Sequence, residues 1–232
     1  MISTRSVLAH AIVIVADELI TQFGDAATTA QLIKSQSASL VDRPSDLGDM
    51  LAEAFREPFE SDISQIRLVN GCKRVITYAV DAMSSDAHAM NPTTYDLEIR
   101  KDNLTLFADT IRASVFCDLA DAMAGRDYQT AEEVSADENY LSDLFGRIQA
   151  SSLDGETLRS MSQVFVAVTE VLGELELRLP SIIDVEISEL PASTLAYMLY
   201  DDDDRVDQIV ALNPLANPIL YAGTAKALVE PL

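Results

Sequence analysis

The sequence predicts a mainly α protein, with an elongated helical body over residues 1–180 and a small domain over residues 181–232 in strand–helix–helix–strand order. Three observations carry this. Apolar residues recur at helical spacing through most of the first 180 positions. Gly and Pro number only eight each in 232 residues, too few for a loop-rich all-β chain. Past Pro180 the pattern changes to a period of two, in Ile183-Asp184-Val185-Glu186-Ile187-Ser188, which is a strand signature. An apolar share of 48% lets such a chain bury a core instead of remaining disordered.

Residues 4–23 read as the first helix. Ser3 or Thr4 can cap it, and Val7, Leu8, Ala11, Val15, Leu19 and Ile20 recur at helical steps. Ile12, Val13 and Ile14 widen that stripe, which serves either as a contact face for a partner or as the body's own core. Gly24-Asp25 ends the helix, and residues 28–40 form a weaker one, rich in Ser and Thr. Pro44, just after Asp42, opens a short helix to Glu57 with Leu47, Met50, Leu51, Ala54 and Phe55 on one face, and Pro58 stops it. Ser61-Asp62 then opens a longer helix through Ile63, Ile66, Val69, Val75, Ile76, Ala79 and Val80, with Gly71 a soft spot inside it. The chain restarts at Asn91-Pro92. Residues 93–124 read as a long amphipathic helix or a pair, through Leu97, Leu104, Phe107, Ala108, Ile111, Val115, Leu119 and Met123, and Gly125 ends it. Thr130-x-x-Glu133 has capping-box spacing ahead of Tyr140, Leu141, Leu144, Phe145 and Ile148. The strongest helical pattern runs from Asp154 to Leu179 and stops at Pro180.

The C-terminal stretch reads as one unit. A strand over 183–187 leads through Leu190-Pro191 into a helix over 192–200, where Leu195, Ala196, Met198 and Leu199 are apolar. Asp201 to Asp204 make a turn and place carboxylates at the start of the next helix, where the dipole favours anions. That helix holds Val206, Ile209, Val210 and Leu212. It halts at Asn213-Pro214, because the residue before a proline is pushed out of the helical region. A loop through Asn217-Pro218 and Gly223 reaches a last strand over 225–229.

This order, with Leu195-Ala196, Leu212-Asn213-Pro214, Asn217-Pro218-Ile219-Leu220 and Gly223, resembles the LysM module. A closer resemblance joins Pro191, Leu195-Ala196-Tyr197, Leu199-Tyr200, Asp202, Arg205, Ile209-Val210 and Asn213. That pattern is similar to the C-terminal end of the DNA-circularisation protein N family of Mu-like phages, a contractile-tail baseplate component. The family's helical stretch rich in Ala and Leu fits residues 92–179. There are departures: family members carry an additional N-terminal domain that has no counterpart here, and Ala222-Gly223 stands where a Pro-Gly pair is usual. The resemblance implies a structural component of a contractile phage tail baseplate, linking the central hub or tube to the surrounding wedge or sheath. Its partners would be other phage tail and baseplate proteins, in multiple copies with a sixfold arrangement. Its place would be the virion, after assembly in the host cytoplasm. Leu195, Tyr197, Tyr200, Arg205, Asn213 and Pro214 are the candidate interaction residues. The alternative is a LysM-type peptidoglycan-binding adaptor, which is expected to carry an export signal; none is read. The absence of Trp also disfavours an aromatic-lined sugar groove.

Charge narrows the partners further. Lys and Arg total 16 against 38 Asp and Glu, a net charge of −22, and both halves of the chain are acidic. Duplex DNA carries one negative charge about every 1.7 Å of axis, so binding it needs a basic patch. Lys73-Arg74 and Arg100-Lys101 are the closest approach to one, so no direct nucleic-acid binding is expected, and no anionic membrane surface either. The apolar run Ala11–Ala16 is shorter than the roughly 20 residues that span a bilayer. Cys72 and Cys117 lie in apolar helical stretches and read as buried, reduced thiols.

No catalytic pattern emerges, so the expectation is a non-enzyme with no cofactor and no metal. His10 sits on an apolar helix and His88 in a loop, neither with metal-ligand spacing. An EF-hand loop starting at Asp201 would need an acceptor, Gly and Glu where Arg205, Val206 and Leu212 stand. Glu170 and Glu174, four residues apart, read as a wet helix face.

Overall fold

A computed structural model describes residues 4–90, 95–151, 153–214 and 221–229, and it is mainly helical with a two-stranded sheet near the C-terminus. Ser3, Asn91-Pro92, Thr93 and the Asn217-Pro218 loop lie outside the described residues. The chain divides into two units. The first comprises Met1–Asp127 with Asp137–Val171, and the second Tyr128–Ala136 with Leu172–Leu232.

In the first unit, α1 (Thr4–Phe23) has the span its periodicity dictates. Ala11, Ile12, Val15, Ala16 and Leu19 are at most 3% exposed and belong to this unit's own core, while Val7, Leu8, Val13, Ile14 and Ile20 are only half-buried. Ser6–Ala26, with a mean hydropathy of 1.5, is long and apolar enough by composition to cross a membrane, further than the run from Ala11 to Ala16 suggests. Here those side chains pack against α2 (Thr28–Leu40), α4 (Gln65–Val75) and α6 (Tyr95–Ala124). The first turn of α2 has Ala27 before it and so lacks a side-chain cap of its own. Glu57 supplies one from a distance: its carboxylate accepts from the Thr29 N–H (2.9 Å) and from the Thr28 hydroxyl.

Helix α3 (Pro44–Arg56) ends just before Pro58, as expected, and the chain tightens into a 3₁₀ turn, Glu57–Glu60, in which a proline is tolerated because its missing N–H is an orphan there. The following helix begins at Gln65, later than Ser61-Asp62 predicts, and Ile66 is left 50% exposed. Gly71 is not a soft spot. A Cβ there would sit 2.5 Å from the Phe23 ring, so glycine is what lets α4 approach α1. A π turn, Ile76–Val80, carries α4 into α5 (Asp81–Ala89), which places His88 on a helix instead of in a loop.

Helix α6 is a single helix of 30 residues, not a pair. It is not simply amphipathic either. It packs against α1, α3, α4 and α5, so Ile111, Arg112, Ala113, Val115, Phe116, Leu119 and Ala120 are buried around most of its circumference. α7 (Ala131–Gln149) from Asp137 onward and α8 (Gly155–Glu176) up to Val171 complete the helical set of this unit. Asp154 caps α8 by accepting from the Glu156 and Thr157 N–H groups (3.0 and 2.9 Å), and these bonds with the Thr157 hydroxyl hold its carboxyl below the usual range. Phe116 packs tilted against Phe145, which stacks on Phe165, with centroids 5.7 and 4.5 Å apart.

Buried charge in this unit is paired. Asp137 accepts from Lys73 Nζ (2.5 Å) and Arg126 Nη1 (2.6 Å). Arg112 reaches Asp109 (2.7 Å) and Asp81 (3.2 Å), and Arg147 also reaches Asp81 (2.8 Å). Lys73, half of the nearest thing to a basic cluster, is therefore committed inside the fold, with its ammonium also 4.7 Å from the Tyr140 ring centroid.

The second unit contains β1 (Ser181–Leu190), α9 (Ala192–Tyr200), a 3₁₀ turn at Asp203–Arg205, α10 (Val206–Leu212) and β2 (Tyr221–Val229). The strands pair antiparallel, with Ile183 opposite Ala227, Val185 opposite Ala225 and Asp184 opposite Lys226. The predicted alternation thus places Val185, Ala225 and Ala227 on the core side and Asp184, Glu186, Thr224 and Lys226 on the other. A bulge between Ile187 and Leu190 faces Gly223, whose φ of +89° only glycine adopts freely. Thr130 and Glu133 do form a capping pair, although the Glu133 carboxylate reaches back to the Gln129 N–H (3.0 Å), one residue earlier than the usual box.

Candidate interaction face of the C-terminal unit

The core of the second unit is small. Ala192, Leu195, Ala196, Ile209, Tyr221 and Ala225 are buried, with Ile187, Leu199, Tyr200, Val206 and Val210 packed around them. Helical spacing puts Ala192, Leu195 and Ala196 on one face of α9, and α10 contributes Ile209. Apolar bulk is limited, so polar contacts hold the helices to the sheet.

Asn213, the residue after α10, is the main one. Its Nδ2 donates to the carbonyls of Ile209 (2.9 Å) and Lys226 (2.8 Å), and its Oδ1 accepts from the Lys226 N–H (2.7 Å). A carboxamide offers a donor and an acceptor side by side, as a backbone peptide does, so Asn213 pairs with β2 as a neighbouring strand would. Tyr200 makes a second contact of this kind: the Leu228 N–H donates to its Oη at 2.8 Å. Tyr200 also lies under Arg205, whose guanidinium carbon is 5.0 Å from the ring centroid.

The six sequence-derived residues therefore separate into groups. Leu195 (1% exposed) and Asn213 (9%) are inside and hold the unit together. Tyr200 and Arg205 are half-buried and bridge α9, the acidic turn and β2. Tyr197 (60% exposed) and Pro214 face outward, and Met198 (66%), which the sequence reading did not single out for contact, joins them. Its exposure was readable from its place beside Tyr197, one step off the Leu195-Ala196 face. The acidic run does local work. Asp201, with φ 54°, ends α9 and donates its N–H to the Tyr197 carbonyl (2.8 Å), while the Asp202 carboxylate accepts from the Asp204 N–H (3.0 Å).

Among the described residues no group of three His, Cys, Asp or Glu is placed to hold a metal ion. Cys72 is buried, and burial, with Asp118 nearby, pushes its thiol up to about 12. Cys117 is exposed, contrary to the expected burial; its thiol is pushed up as well, by desolvation and Asp118. Raised thiols are protonated at neutral pH and are poor nucleophiles. Glu170 and Glu174 are both exposed.

Comparison of the chain with protein-family models and with curated protein sequences finds no match.

Proposed function

We propose that the protein is a non-catalytic structural component of a contractile phage tail baseplate, linking the central hub or tube to the surrounding wedge or sheath through a LysM-like C-terminal module. One observation supports this reading above the others. The residues that carry the resemblance, Leu195, Tyr200 and Asn213, are the ones that build the strand–helix–helix–strand unit. A resemblance made of exposed residues would bear on surface alone, whereas one made of Leu195 and the Asn213 clamp bears on fold. The exposed Tyr197, Met198 and Pro214 then serve as the contact residues of the module, because an aromatic and a thioether supply contact area with few polar groups to desolvate. The acidic surface suits docking to basic protein surfaces and not to nucleic acid.

The test is to remove the chain from the producing phage and image the particles, with a tagged copy restored in parallel. Missing or malformed baseplates, and a tag at the baseplate in a sixfold arrangement, are expected. Normal baseplates in particles lacking the chain would overturn the proposal. The peptidoglycan-adaptor alternative is read in the same material: retention of the purified chain on cell-wall sacculi, with no virion association, would favour it instead.

A further inference from the structure

The sheet of the C-terminal unit has two edges, and they are treated differently. On β2, the outward N–H and C=O of Lys226 are bound by Asn213, and the outward N–H of Leu228 by Tyr200. In an antiparallel pair the backbone groups of alternate residues point to the same side. If Lys226 and Leu228 point away from β1, Ala225 and Ala227 point toward it, and so do their partners Val185 and Ile183. The outward groups of β1 are therefore those of Ile182, Asp184 and Glu186. The Ile182 N–H donates to Glu132 Oε1 at 2.6 Å. Those of Asp184 and Glu186 have no partner among the described residues, and both residues are exposed. One edge is blocked by side chains at Lys226 and Leu228, and the other is open at Asp184 and Glu186.

We propose that the open edge of β1 is a docking site for an extended segment of another protein, added antiparallel and carrying Lys or Arg at alternate positions. Strand addition satisfies the free N–H and C=O groups of Asp184 and Glu186. Partner residues opposite these two carry their side chains on the same face, beside two carboxylates, so basic residues belong there. A second copy of this chain does not fit. β1 against β1 sets Asp184 and Glu186 against carboxylates, and nowhere in the sequence do two basic residues stand two positions apart. The open edge belongs to the sheet itself, so the proposal does not depend on the baseplate reading.

The probe is a short peptide alternating Lys and Val, titrated against the full chain by fluorescence anisotropy, with amide exchange of the chain followed by NMR. Saturable binding that protects the Asp184 and Glu186 amides is expected. In the antiparallel register the Lys residues direct their N–H groups at β1. N-methylation of the Lys amides therefore abolishes binding, while N-methylation of the Val amides leaves it. Asp184→Asn with Glu186→Gln, both exposed changes, weakens binding about tenfold, the size that two partly exposed charge pairs give together. Binding that survives Lys N-methylation, or that leaves the two amides unprotected, overturns strand addition, because simple charge attraction needs no backbone. Concentration-dependent protection of the same amides without peptide overturns the choice of partner.

Discussion

In the helical unit the buried polar side chains are charged, Asp109, Arg112 and Asp137, and each is held by opposite charge arriving from another turn or another helix. In the C-terminal unit the buried polar side chain among the described residues is a neutral amide, Asn213, and it is held by backbone. The contrast follows from the secondary structure each unit must satisfy. Helices consume their own backbone groups, so what remains for side chains to do between helices is to meet each other, and long arms bearing charge can reach. A strand edge leaves N–H and C=O side by side. Charge answers only one of the two, whereas a carboxamide answers both.

The largest expected effect is on the charged side. Asp137→Ala removes the carboxylate facing both Lys73 and Arg126 and is expected to lower stability by about 3 kcal/mol, read by urea denaturation. Asn213→Ala should cost about 2 kcal/mol and speed exchange at the Lys226 amide before any amide of the helical unit. Asn213→Asp keeps an acceptor but aims an anion at two carbonyls, so it is expected to do no better than alanine; a near-neutral Asp would show that charge serves as well as an amide at a strand edge.

Asp118 sharpens the contrast, because its charge is half-buried with too little compensation. Burial first, then Asp121, push its carboxyl up to about 6, with Arg56 opposing. The folded chain thus holds this proton more tightly than the unfolded chain does. The group's contribution to stability is a penalty above about pH 6, and the penalty fades as pH falls toward about 4. Asp118→Asn should therefore stabilise the chain by about 1 kcal/mol at pH 7, allowing for solvent screening, and by nothing near pH 4. The smallest effect belongs to the turn after α9: Asp201→Gly relieves a left-handed backbone and should add about 0.5 kcal/mol in the same assay.

Local signals explain how much of this was legible in sequence. The bounds of α1 and α2 and the strand–helix–helix–strand order were readable because periodicity and breakers lie within a few residues of one another, whereas α8 ends at Glu176, short of the Leu179 that its pattern and Pro180 suggest. Gly71 was misread because its meaning depends on Phe23, a neighbour in space but not in sequence. The circumferential burial of α6 and the exposure of Cys117 likewise depend on which helices pack where. The Glu57 cap on α2 comes from another helix end and leaves no mark at residues 24–28. In the C-terminal unit, Asn213 could be named from its place before Pro214, but its pairing with Lys226, 13 residues further on, was invisible. The bulge opposite Gly223 was hidden for the same reason.

The Asn213 clamp has a consequence for stoichiometry. A sheet with two open edges is divalent: it can accept a strand on either side, and copies held close together can propagate into a ladder. Closing the β2 edge with Asn213 and Tyr200 leaves this sheet monovalent. It can accept a strand on the β1 side alone, so a chain concentrated in many copies can form discrete one-to-one contacts without its own sheet being extended from both sides.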